Sequence, residues 1–383
     1  MNSPLQILGE TTPESWGSTN GGYRRTLQLH QIIRGAGIEL QIIELPSAPL
    51  SGLRYFFKGL KFLREGGFAG GCNPRLLHDH GKVAARLVPG LARHMGNKGN
   101  KGNKILLWEV TRRENQAVPF LARRLGYSVV ALPHNLETLV PSVPPRPLEM
   151  IGRHFEEEAR AMRAANAVFT TSREEQWLLA LYGLSPIYLP YFPPEKIANK
   201  FLAIRARRRA AEGKRFLILG TVWNPPTLAG VVELIQILRD LPGGASLPVD
   251  IAGFGTEQLQ NVVNGTNFRL HGSVDEAKLE ELLLTARAVL VHQRAATGAL
   301  TRITEMLLAG VPVFANGVGA RSHIHLDGLE VYDTPAQLCE LLKRPPIEPK
   351  VPERPVQQEQ RLVEVLRQLG AEAALRMGTS FRP

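Results

Sequence analysis

Cysteine is nearly absent: Cys72 and Cys339 stand far apart in a chain of 383 residues. Two isolated cysteines supply neither a disulfide framework nor a cysteine zinc site, so a reducing cytoplasm is the expected compartment. Long apolar runs are also missing, and no stretch approaches the roughly 18 residues a membrane-spanning helix needs. The opening MNSPLQILGETTPES has no basic flank and no long apolar run, so it does not read as a secretory signal. No GxxxxGK[ST] or GxGxxG motif occurs, which argues against a P-loop enzyme and an ordinary dinucleotide fold. No GxSxG elbow occurs either, which argues against a serine hydrolase. No basic patch is interleaved with aromatics, and no nucleic-acid module is recognisable, so nucleic acid is not an expected partner.

What is present is a globular mixture, 44% hydrophobic and 21% charged. The length fits two domains of roughly 150 to 200 residues. The net charge of +11 is uneven: residues 1–200 hold 25 Lys and Arg against 16 Asp and Glu, and residues 201–383 hold 21 against 19. The first half therefore attracts phosphates, anionic lipid surfaces or nucleic acid, and charge alone does not choose among them.

The chain alternates strand and helix patterns. LQILG (5–9) reads as a strand, a polar glycine-containing loop follows, and TLQLHQIIRGAG has helical apolar spacing before the strand IELQIIELP. KILLWEV, YSVVALP and AVFTTS continue as strands separated by helices. The proline-rich PIYLPYFPPEKI (186–197) then breaks the alternation as a hinge or linker. KRFLILG, PVDIAGFG, NFRLHG, AVLVHQ and VPVFANG form a second set. The expected architecture is α/β, with two Rossmann-like domains facing an interdomain cleft. The expected boundaries are 1–195 and 196–350, with a helical tail at 351–383 that can pack back on the first domain.

Several residues can carry chemistry. Gly21 and Gly22 precede the first long helix, where backbone amides favour an anion, unless the loop merely turns. His134 ends the strand YSVVALP, at the edge where parallel sheets bind ligands; the alternative is a packed loop histidine. Arg302 and Glu305 are three apart in TRITEMLLAG and share a helix face. With the amides of Gly298 to Leu300 they can hold a nucleotide: a guanidinium forks onto phosphate and a carboxylate accepts ribose hydroxyls. The alternative is a plain salt bridge. Asp79 lies between His78 and His80 in what reads as a loop after a strand, and the trio does not make a metal site. No metal is expected. The repeats in ARHMGNKGNKGNKILL read as a flexible basic connector or an anion contact. In residues 51–67, Leu53, Phe56, Phe57, Leu60 and Leu63 form an apolar stripe beside Arg54, Lys58, Lys61 and Arg64. The stripe can pack on the core or lie on an anionic membrane.

GALTRITEMLLAGVPVFANGVGA (298–320), the Gly-Gly before the first helix, VVALPHNLE and ILGTVWNPPTLAGVVELI together resemble the large retaining group of GT-B glycosyltransferases (family 4-like) that builds bacterial polysaccharides and lipids. The resemblance covers nearly the whole chain. It implies a nucleotide-diphosphate-sugar donor, an acceptor that is a glycan, a lipid-linked sugar or a small molecule, and no obligatory cofactor. It implies ribose binding by Glu305, phosphate contacts from Gly21, Gly22, Gly298 and Arg302, and a donor-sugar contact from His134. It places the protein in the cytoplasm, peripheral on the inner face of the membrane if residues 51–67 touch it. The family's first glutamate is replaced by Thr297, and its basic pair after the first donor-domain strand is absent. A non-catalytic binding relative and a sugar-nucleotide epimerase are the alternatives.

Overall fold

The computed structural model describes residues 5–10, 21–43, 52–64, 74–96, 104–142, 144–208, 214–345 and 347–379. In chain order the first elements are β1 (Gln6–Glu10), α1 (Gly21–Gly35), β2 (Glu39–Ile42), α2 (Gly52–Arg64), α3 (Pro74–Gly96), β3 (Ile105–Trp108), α4 (Val118–Arg124) and β4 (Ser128–Ala131). Next come α5 (Leu148–Arg163), β5 (Ala167–Thr170), α6 (Arg173–Leu181), β6 (Ile187–Tyr188), α7 (Glu195–Arg207), β7 (Arg215–Leu219), α8 (Pro225–Asp240), β8 (Val249–Ala252), α9 (Gln260–Val263) and β9 (Phe268–Gly272). The rest are α10 (Glu276–Thr285), β10 (Ala286–Val291), α11 (Thr301–Leu308), β11 (Val313–Asn316), α12 (Gly317–Ala320), β12 (Leu329–Tyr332), α13 (Pro335–Lys343) and α14 (Val356–Thr379).

The chain divides into two compact units. The first gathers Met1–Leu139, Pro147–Pro190 and Pro355–Pro383, and the second gathers Val140–Arg146 and Tyr191–Arg354.

The first unit is a six-stranded parallel sheet in the order β2-β1-β3-β4-β5-β6. Strands ILLW and SVVA are buried along their whole length. Such continuous apolar runs belong to a parallel sheet covered on both faces. One face carries Leu106, Trp108, Val129 and Ala131 among the side chains of α3, α4 and α5. The other carries Ile105, Leu107 and Val130 together with Leu29 and Ile33 of α1 and Leu362, Val365, Leu366 and Leu369 of α14. That last set repeats at 0, 3, 4 and 7, the stripe of a core-facing helix.

The second unit is also six-stranded and parallel, in the order β12-β11-β10-β7-β8-β9. Helices α8 and α13 cover one face, and α7, α10 and α11 cover the other. Its helix starts are written into the sequence: Asp275 accepts from the Lys278 amide, and Thr334 forms a reciprocal capping box with Gln337.

One sequence expectation fails in α3. His78, Asp79 and His80 lie inside α3 rather than in a loop, and successive positions on a helix point in different directions. His80 is buried while His78 pairs with Asp79 at 3.5 Å. Of the α2 stripe, Leu53, Phe57 and Leu60 do not pack on the core, while Phe56 is half-buried. Leu53 and Phe57 are 72% and 62% exposed, and Leu60 is exposed as well. Helix α2 instead meets α3 through Tyr55 and Gly59. A Cβ on Gly59 would fall 2.0 Å from the Leu77 carbonyl oxygen, and one on Gly81 would fall 1.7 Å from that of Tyr55. Backbone contact that close needs glycine on both helices. The Asn-Lys-Gly repeats at 97–103 lie outside the described residues. Among the described residues no helix is long and apolar enough to cross a membrane.

Candidate functional site

In open parallel sheets, ligands bind beyond the carboxyl ends of the strands where the strand order reverses. In the second unit that point lies between β7 and β10. Arg302, in the first turn of α11, reaches it: its Nη1 donates to the Leu219 carbonyl at the end of β7. A Cβ on Gly220 would fall 2.8 Å from that nitrogen, so glycine there makes room for the guanidinium. The Nε of Arg302 is buried without a hydrogen-bond partner. Burial pushes this arginine down to about 10; the charge of Arg321 adds to the shift and that of Glu305 opposes it. Arg302 is therefore still a cation at neutral pH, with a second cation near it.

Arg321 was not singled out in the sequence. It donates to the Thr297 carbonyl at 2.7 Å and so ties the loop after β11 to the loop before α11. Ser322, next to it, has φ 63° and is the one non-glycine residue with positive φ among the described residues. Strain of that kind persists where surrounding structure enforces it, often at binding sites. Gly298 also sits in the left-handed region, at φ 65°. Asn316 holds the adjoining loop: its Oδ1 accepts from the amides of Gln293 and Gly319, and its Nδ2 donates to the Gln293 carbonyl at 2.8 Å. Glu305, one turn further along α11, is buried and accepts from the Tyr191 hydroxyl at 2.7 Å. Gly298, Arg302 and Glu305 are thus gathered at one sheet edge.

In the first unit the order reverses between β1 and β3. Glu109 follows β3 there, only 2% exposed. The Thr26 hydroxyl of α1 donates to its Oε2, and the His134 Nε2 lies 3.3 Å from the same oxygen. The other carboxylate oxygen is buried without a partner. Gly21 and Gly22 occupy the first turn of α1, one turn before Thr26. That turn has no acidic residue to offset its amides. The loop that precedes it, 11–20, lies outside the described residues. Glu109 was missed in the sequence because a carboxylate after an apolar strand belongs to no motif.

The loop after His134 is pinned by carboxylates. Leu136 donates its amide to Glu175 at 2.8 Å, and the amides of Glu137 and Thr138 donate to the two oxygens of Glu158. Burial nonetheless pushes Glu158 up to about 7, while hydrogen bonds from Thr138 and the Glu137 amide oppose the shift. The folded state then holds this proton more tightly than the unfolded chain. The contribution of Glu158 to stability is greatest below the ordinary value of 4.5 and is lost as pH rises through 7. Denaturant titrations of wild type and Glu158→Gln are expected to differ by an amount that changes by about 3 kcal/mol between pH 4.5 and 8, with wild type losing ground. A difference independent of pH overturns the assignment.

Among the described residues no group of three or more His, Cys, Asp or Glu could hold a metal ion. No family model matches the sequence, and no curated protein matches it. Solved structures do. Sucrose-phosphate synthase from Thermosynechococcus elongatus superposes with a TM-score of 0.60 at 14% identity, covering 99% of this chain and 98% of that one. The α,α-trehalose 6-phosphate synthase of Burkholderia multivorans gives 0.57 at 13%, covering 99% and 98%. Anabaena Alr3699/HepE in complex with UDP gives 0.56 at 12%, covering 96% and 100%. With two helix-flanked parallel sheets, these alignments fix the architecture. The chain has the GT-B fold. Within a GT-B chain the second unit corresponds to the Rossmann order 3-2-1-4-5-6, with Arg302 at its reversal.

Proposed function

We propose that this GT-B protein is a glycosyltransferase that takes a nucleotide-diphosphate sugar and retains the configuration of the transferred sugar. The observation that carries the reading is Arg302: a half-buried guanidinium with a buried, unpartnered Nε, beside a second arginine, at the reversal point of the second sheet. Two cations held that close repel each other, and a bound diphosphate relieves the repulsion. Arg302, Arg321 and the amides from Gly298 onward are assigned to the diphosphate, and Glu305 to the ribose. Two arginines supply the charge that the loop after β7, GTVWNPP, lacks.

Gly21 and Gly22 are assigned a phosphate contact, and His134, positioned by Glu109, a contact to the transferred sugar. In the transfer, the bond from the sugar's anomeric carbon to the leaving phosphate breaks as the bond to the acceptor oxygen forms on the same face. The acceptor proton passes to the leaving phosphate, so no carboxylate base is needed. The similar structures named for sucrose-phosphate and trehalose 6-phosphate synthesis and for a UDP complex support a nucleotide-sugar substrate. Calorimetry with a panel of nucleoside diphosphates and sugar nucleotides tests the reading. Saturable binding with one preferred base is expected, and the absence of binding across the panel by folded protein sinks it.

The exposed stripe of α2 is assigned to an anionic membrane surface. Leu53, Phe57 and Leu60 stand out beside exposed Arg54, Lys58 and Lys61, and α3 adds exposed Arg75, Lys82 and Arg86. Apolar side chains ringed by cations match acidic lipid headgroups over acyl chains. The protein is expected to sediment with vesicles containing phosphatidylglycerol and not with pure phosphatidylcholine. Leu53→Ser/Phe57→Ser is expected to lower the bound fraction several-fold, since each buried apolar side chain contributes roughly 1.5–3 kcal/mol. Equal sedimentation with both lipids, or no loss in the variant, refutes the assignment.

A further inference from the structure

Helix α3 crosses the first sheet from one edge to the other, and two contacts fix its direction. The Tyr127 hydroxyl, just before β4, donates to the Leu91 carbonyl at 3.2 Å. Earlier in α3, His80 meets the backbone of Arg113, which lies beyond the end of β3. The stretch of helix between His80 and Leu91 rises about 16 Å, enough to pass a strand the length of β3 or β4. The first turns of α3 therefore stand at the carboxyl edge of the sheet. Helix α2 is docked on those turns and runs antiparallel to them, with Tyr55 against Gly81 and Gly59 against Leu77. On that register Phe57 is level with Asp79 and Leu60 with Leu76, at and beyond the level of Arg113. The exposed stripe assigned above to a membrane thus lies on the edge where parallel sheets bind ligands.

The same edge holds Glu109 and His134, and the segments between them and α2 are contiguous. His80 of α3 meets the loop after β3 at Arg113. Arg112 in that loop and His134 in the loop after β4 both act on the charge of Glu137. Helices α2 and α3 hold eight lysines and arginines against one acid, Asp79, a balance that suits anionic lipid. An interfacial helix lies about 5–10 Å deep in the headgroup region. An α-helix is about 10–12 Å across, so the loops packed behind α3 stand roughly one to two helix diameters from the headgroups. A stripe that only tethered the protein could sit on any face. On this edge it sets the bilayer beside Glu109 and His134, which obstructs a polymer arriving from solution and admits a molecule already in the membrane. Confining enzyme and acceptor to one surface also raises their effective concentration.

We propose that the acceptor is a hydroxyl carried on a membrane lipid, presented at the carboxyl edge of the first sheet by the bilayer on which α2 rests. This acceptor class rests on the transfer and membrane readings above. The bond from the sugar's anomeric carbon to the donor diphosphate breaks, the bond to the lipid oxygen forms, and the hydroxyl proton leaves with the diphosphate. Full-length protein is incubated with the radiolabelled sugar nucleotide that calorimetry selects and with vesicles made from the total membrane lipid of the source cells. A parallel sample receives the lipid-free aqueous extract of the same cells. Label is expected to be recovered with the lipid, and at least tenfold less of it in water-soluble product. Leu53→Ser/Phe57→Ser is expected to raise the lipid concentration that gives half-maximal rate several-fold. Label recovered mainly in water-soluble product overturns the lipid acceptor, and so does a variant with the wild-type dependence on lipid. No label in either sample, from protein that binds the nucleotide and sediments with vesicles, overturns the acceptor class alone. Absence of nucleotide binding overturns the transfer reading and absence of sedimentation the membrane reading, and both are measured without any acceptor.

Discussion

Arg302→Ala lowers kcat about 10²- to 10³-fold with the sugar nucleotide that the calorimetry panel selects, the range measured when one donor to a developing negative charge is removed. The size of the effect follows from burial. An exposed arginine beside a phosphate is screened by water, whereas Arg302 is half-buried and its Nε is shielded from water without a partner. Its side chain is already placed by the Leu219 carbonyl, so little rearrangement is needed as the phosphate charge builds. Arg302→Lys keeps the charge but replaces the planar guanidinium fork by a compact ammonium on a flexible stem, and should fall between wild type and alanine. Because the guanidinium is pushed down only to about 10, the arginine stays charged across neutral pH, and the effect of Arg302→Ala should not vary between pH 6 and 8. Unchanged turnover in Arg302→Ala removes this residue from the chemistry.

Glu305→Ala weakens nucleoside diphosphate binding about 10- to 100-fold, the loss of a charged hydrogen-bonding group worth about 1.5–3 kcal/mol. Alanine alone does not prove a ribose contact, because Glu305 is buried and is bonded to Tyr191. The 2′-deoxy nucleotide supplies the control. If Glu305 accepts from the 2′-hydroxyl, removing that hydroxyl weakens binding to wild type but has almost no further effect on Glu305→Ala. Additive losses would mean that the carboxylate positions α11 without touching the sugar. Tyr191→Phe separates the remaining contribution: it leaves the carboxylate in place with one donor fewer, and should cost less than Glu305→Ala.

The alternation of strands and helices was readable because the strands are buried on both faces. ILLW, SVVA and VPVF have nothing else to be in a chain of this composition. Helix α3 was not readable. Glycines at 81 and 90, Pro89 and the polar run His78–His80 all carry loop signals. At Gly81 the helix is held by close backbone contact with α2, a tertiary fact that no local propensity reveals. The same contact turned the α2 stripe outward, since a helix docked through Tyr55 and Gly59 has its aliphatic face left over. At the candidate sites, Arg302 and Glu305 were legible because they lie on one helical turn. Glu109 and Arg321 were not, because each depends on two segments distant in the chain meeting at one sheet edge. Thr26 and Glu109 illustrate this: no spacing rule links them, yet the hydroxyl and carboxylate meet at the β1–β3 reversal.

Helix α14 carries a consequence for biosynthesis. Leu362, Val365, Leu366 and Leu369 complete one face of the first sheet, yet they are synthesised after the whole of the second unit. On the ribosome, the strands β1, β3 and β4 emerge with that face partly uncovered. It stays so until the 166 residues from Pro190 to the start of α14 at Val356 have been made. At about 5–20 residues per second, an apolar surface is open for about 10 to 30 seconds. The second unit is continuous from Tyr191 to Arg354 apart from one short segment, and has no such delay. The nascent first unit is therefore the substrate that holdase chaperones would find on this polypeptide, and a stop codon before Val356 would leave it in that condition permanently.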